Sequence, residues 1–263
     1  MNDPQVESLE YQLKIVDETI SYKAPPLTYE TDKFSLHLES DKLLVNLHQH
    51  FATVKEARNC VEEFLRAWEV KVALQSGKKE FFFQFVDASV IDRAPSDSNN
   101  STVDKVVAAK ISMTALAAKE STERNKYPEP PRHFHLSPDA ETLWKRYEMY
   151  KQGREPLFSM AYFCLTLLET RGSEFVKKRD KFRKNAAYIF NVSKKVLNKL
   201  GELSEKRGSK ETARKYLPNL NPATAAEKRW IEKAVCAIIK QVGIYDGGNT
   251  PEKLKMSDLP KLE

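Results

Sequence analysis

A chain of 263 residues exceeds the ~100–150 typical of one domain, so two domains are expected. Hydrophobic residues make up 41% and charged residues 30%, with a mean hydropathy of −0.57, which excludes wholesale disorder and supplies enough apolar side chains for real cores. The net charge of +6 and pI near 9.0 permit contact with nucleic acid without requiring it.

The opening residues, MNDPQVESLEYQ, are acidic and polar where a secretory signal needs a basic start and an apolar run of ~7–15 residues. The most apolar stretch, Pro156 to Leu168, is shorter than the ~20 residues that cross a bilayer, so it reads as a buried helix. Cys60, Cys164 and Cys236 are odd in number and far apart, which leaves no disulfide framework and no CxxC metal knuckle. A cytoplasmic setting without membrane contact is expected.

In chain order, LEYQLKIV alternates Leu9, Tyr11, Leu13 and Ile15 against polar residues, the period of two of a half-buried strand. FSLHL and LLVNLH repeat that pattern around Glu39-Ser40-Asp41-Lys42, a hairpin turn. Thr53 and Glu56 form a capping box, and behind it Ala57, Cys60, Val61, Phe64, Leu65 and Trp68 lie on one helical stripe. The period then returns to two in EVKVALQ; Ser76-Gly77 supplies a turn, and EFFFQFVDASVID gives a returning strand. Residues 94–103 read as an exposed loop. Lys105 to Lys119 is read as a strand by its alternation, although its alanines favour a helix.

Tyr127 to Pro138 contains four prolines and is expected to be extended. Beyond it everything reads as helical: one helix from Ser137-Pro138, an apolar one from Pro156, and others at about Glu174–Phe190, Ser193–Lys206 and Ala225–Tyr245. The fold class is therefore α+β, a mostly antiparallel sheet with one helix followed by an all-α bundle. The expected domains are residues 1–127 and 137–246, with a proline-rich linker over 128–136 and a tail over 247–263.

Charge is unevenly spread. Between Arg171 and Tyr216 stand fifteen Lys and Arg against five Asp and Glu, a local net charge of +10 that leaves −4 for the rest of the chain. Within that region, Arg183 to Leu203 resembles the helix-turn-helix of bacterial DNA-binding proteins. Ala187 matches the small residue that lets two helices approach, Asn191 the turn residue, and Val192, Leu197 and Leu200 the apolar positions, with Ser193 as the cap of the second helix. The resemblance implies that Ser193, Lys194, Lys195, Asn198 and Lys199 meet base edges in a major groove. Lys177, Lys178, Arg179, Arg183 and Lys184 on the preceding helix would then lie along phosphates. A structural corner in a bundle, with its lysines solvated, is the competing reading of the same residues.

The helical half also looks, in architecture alone, like the HEPN domains of prokaryotic defence and toxin systems. Nucleases of that family need an Arg followed four to six residues later by a His, and the last histidine here is His135, so the resemblance implies a non-catalytic relative. Metal ligation is not expected either. A two-residue turn at Ser40-Asp41 sets His37 opposite Leu44 and leaves His48 ~13 Å further along, while His133 and His135 have no third ligand. Asp87, Asp92 and Arg93 read as charges closing a sheet edge. No GxxxxGK[ST], GxGxxG, GxSxG or HExxH occurs.

The expectation is a non-catalytic binding protein without cofactor, contacting DNA or RNA through Lys177 to Lys199 and a second, protein partner through its sheet domain. A protein-interaction or scaffolding module, in a defence system or elsewhere, is the alternative, and a degenerate HEPN-like protein is the third.

Overall fold

Strand β1 (Pro4–Ile15) is the sequence's first alternating run, and it buries Val6, Leu9, Tyr11 and Leu13. Val6 and Leu9 stand three apart because the pairing with β6 (Phe81–Asp92) slips by one residue between Val6 and Ser8, a bulge that moves the inward face from even to odd positions. The structure, a computed structural model, describes residues 3–16, 19–93, 122–173, 181–208 and 221–262. Strands β3 (Leu27–Glu30), β4 (Phe34–Glu39) and β5 (Lys42–Leu47) complete an antiparallel sheet of order β3-β4-β5-β1-β6. Ser40 and Asp41 join β4 to β5 with φ of 49° and 65°, the two left-handed residues of a tight hairpin turn. The turn sets His37 opposite Leu44. A separate parallel pair joins β2 (Ile20–Tyr22) to β7 (Thr122–Arg124).

Helix α1 (Val54–Ser76) begins at Thr53, whose hydroxyl accepts the Glu56 amide at 3.3 Å. It places Ala57, Val61, Leu65 and Trp68 in one core with Leu9, Tyr11, Leu36 and Val45 of the sheet. The strand expected over EVKVALQ is corrected: those residues are the last turns of α1. Val70, Val72, Ala73 and Leu74 are all buried there, so their apolar spacing fits either period. A helical valine costs only tenths of a kcal/mol, and no breaker intervenes before Gly77, which ends the helix at φ 79° with its amide on the Ala73 carbonyl.

The chain divides into two units, Met1–Val72 with Lys79–Pro130, and Ala73–Lys78 with Pro131–Glu263. The second holds α2 (Pro138–Lys151), α3 (Leu157–Ser173), α4 (Phe182–Ile189), α5 (Lys194–Lys206), α6 (Ala225–Asp246) and a short 3-10 helix, Met256–Asp258. Ser137 caps α2, its hydroxyl accepting the Ala140 amide, and Pro138 sits in the first turn where its missing N–H costs nothing. Apolar α3 touches α2, α4, α5 and α6, which explains its all-round hydrophobicity. Phe134 packs on the bare Cα of Gly243: a Cβ there would stand 2.2 Å from its ring. The expected Glu174–Phe190 helix corresponds to α4 over its second half, while residues 174–180 and the expected strand at Lys105 to Lys119 lie outside the described residues. Among the described residues, no helix is long and apolar enough to cross a membrane.

Candidate functional site

The basic segment is built around a close crossing of α3 and α4. Gly172 makes it possible, since a Cβ there would lie 2.5 Å from the Phe182 carbonyl, and Asn185 ties the crossing with an Nδ2 bond to the Gly172 carbonyl at 2.8 Å. The small residue at this approach is Ala186, fully buried; Ala187, which the helix-turn-helix spacing singles out, is half-buried one position on. Asn191 turns the chain at φ 49°, the left-handed conformation that asparagine tolerates better than most residues. Val192, Val196, Leu197 and Leu200 behind it are all buried.

Ser193 occupies the cap position of α5, but its side chain makes no cap hydrogen bond. Its backbone takes over: the amide donates to the Leu254 carbonyl at 2.8 Å, and its own carbonyl accepts from Val196 and Leu197. The amides of Lys194 and Lys195 have no partner among the described residues, leaving the positive end of the helix open to an anion.

The C-terminal segment is laced onto this turn. Leu254 donates to the Asn191 carbonyl at 3.0 Å, Asn191 Nδ2 donates to the Pro251 carbonyl at 2.8 Å, and Gln241 Nε2 bonds the Glu252 carbonyl at 2.7 Å. Thr250 and Lys253 thereby line an open groove of about 1140 Å³. Its other residues include Lys184 and Tyr188 of α4, Lys194 and Lys195 of α5, and Tyr245. Among the described residues, no carboxylate lines it. Lys184, Lys194, Lys195 and Lys253 are exposed and make no ion pair among the described residues. Tyr188 is 85% exposed.

Neither a family model, nor a curated protein, nor a solved structure matches this chain.

The ten residues singled out by the sequence fall into three groups. Lys184, Ser193, Lys194 and Lys195 line the groove. Asn198 is exposed but outside it, and two others are engaged elsewhere: Lys199 is half-buried and paired with Glu202 at 3.2 Å, and Arg183 bonds Glu169 at 2.6 Å and approaches Asn198 Oδ1 at 3.5 Å. Lys177, Lys178 and Arg179 lie outside the described residues. The sequence missed Tyr188, Tyr245 and Lys253. Tyr188 was open to discovery, standing four residues after Lys184 on the same helix face; Lys253 was not, because only the tail's hydrogen bonds bring it here.

Chemically the groove offers cations, open amides, hydroxyls and two tyrosine rings. The histidines elsewhere do not converge: His37 lies 3.5 Å from Glu39, His50 3.4 Å from Asp3, and no group of three His, Cys, Asp or Glu side chains suited to a metal occurs among the described residues.

Proposed function

We propose that this protein is a nucleic-acid-binding protein whose contact surface is the groove between α4, the first turn of α5 and the C-terminal segment. The observation that carries the reading is the lining itself: Lys184, Lys194, Lys195 and Lys253 share one groove, with no carboxylate among the described lining residues. Such a surface concentrates positive potential in a concavity and attracts a polyanion over a cellular background of mixed charge. The open amides at the start of α5 add donors suited to a phosphate oxygen. The local charge of +10 between Arg171 and Tyr216 agrees with this assignment.

The proposed role is binding; among the described residues, the groove's lining holds no histidine, carboxylate or cysteine.

A fluorescence titration with labelled random-sequence DNA and RNA at about 50 mM salt tests it, because counterion release makes low salt the most permissive condition. Saturable binding that weakens steeply with salt is the expected result. Absence of binding by folded protein under those conditions overturns the proposal.

A further inference from the structure

We infer that the groove's occupant is a single strand rather than a duplex, and that Tyr188 is the platform on which one of its bases stacks; the inference rests on the nucleic-acid reading above. Tyr188 is 85% exposed, against 47% for Val16, the next most exposed large hydrophobic residue among those described. It makes no ring contact among the described residues, whereas Tyr245, which also lines the groove, sits edge-on to Phe190 at 5.3 Å. Leaving an aromatic face in water forgoes burial that most rings obtain.

The ring's surroundings supply the rest. Lys184 stands one helical turn before it on α4, and Lys194 and Lys195 stand on α5. An aromatic face flanked by cations is the arrangement that holds an unpaired strand, bases on the ring and phosphates on the lysines. In a duplex the same base faces are stacked on one another, and freeing one costs a few kcal/mol.

The tail points the same way. A recognition helix must project into the major groove. Here the first turn of α5 lines a concavity shared with Thr250 and Lys253, in a segment that Leu254, Pro251 and Glu252 tie down through their hydrogen bonds.

Anisotropy titrations at about 50 mM salt test this with oligo-dT and oligo-U of about 12 nucleotides and a mixed-sequence duplex of similar length, using the wild type, Tyr188→Ala and Tyr188→Phe. The expected result is tighter binding of a single strand than of the duplex. Tyr188→Ala should weaken that binding by about 5- to 150-fold, the equivalent of ~1–3 kcal/mol per stacked base, while Tyr188→Phe stays near wild type. Duplex binding as tight as single-strand binding, or single-strand binding unmoved by Tyr188→Ala, overturns the inference and leaves the nucleic-acid reading standing. Binding of neither probe by folded protein overturns both.

Discussion

At the scale of single residues, α5 separates two roles that neighbouring positions play. Leu197 is fully buried behind the turn, whereas Lys194 and Lys195 are exposed at the groove. Replacing Leu197 with Ala deletes buried methyl groups and leaves a cavity, so chemical denaturation should show a loss of about 2–5 kcal/mol. The double substitution Lys194→Ala with Lys195→Ala should leave that denaturation curve in place. Its effect belongs in the salt dependence of binding: the slope of log K against log salt should flatten by up to ~2 units, at roughly 0.7–0.9 for each phosphate that a lysine no longer neutralises. A double variant that binds with unchanged affinity and slope would remove these lysines from the interface. Lys199 is expected to contribute less, since its ammonium is already paired with Glu202.

At the scale of elements, α6 shows how local chemistry sets a helix boundary. Thr224 and Glu227 satisfy each other's amides in a full capping box, and Glu227 also accepts from Arg207 at 3.0 Å. Burial alone would raise the Glu227 carboxyl, but the Thr224 amide, the Arg207 guanidinium and the Lys199 charge outweigh it and hold it below its ordinary value of 4.5. A carboxyl depressed in the folded state stabilises the fold above its unfolded pKa, and that contribution disappears as pH falls through the folded value. Glu227→Gln should therefore reduce stability at neutral pH and show a shallower loss below about pH 4.5 than the wild type. Equal slopes for both proteins in acid denaturation would contradict this.

The elements also show what was legible from sequence. The β4–β5 hairpin was readable to the register because a two-residue turn fixes it, and Ser40 and Asp41 tolerate the left-handed angles it needs. EVKVALQ was misread because periodicity loses its meaning where nearly every side chain is buried, and only length and the position of Gly77 distinguish helix from strand there. The basic residues of the groove on α4 and α5 were legible as a local charge excess. Their concavity was not, because it is shared with Thr250 and Lys253, residues read only as a tail, in a segment tied down by backbone hydrogen bonds that no side-chain pattern announces.

At the scale of the whole molecule, basic charge is segregated: the +10 between Arg171 and Tyr216 opposes −4 over the remainder. Under the proposed function, a charge distribution of this kind draws a polyanion to the basic segment and weakens attraction elsewhere. The proposed binding role predicts that strands are held and not cut; the absence of histidine after His135 removes only an Arg–His pair from the helical half. Incubation with labelled single-stranded RNA should leave it intact over the lifetime of the complex, and cleavage that persists through purification would contradict a purely binding role. The most direct measurement is photocross-linking of a 4-thiouridine-bearing single strand to the full chain, followed by peptide mapping. Adducts are expected on Tyr188 and on the segments carrying Lys184 to Lys195 and Thr250 to Lys253. Adducts confined to the sheet unit, or none from a strand that binds, would contradict the placement of the interface in this groove.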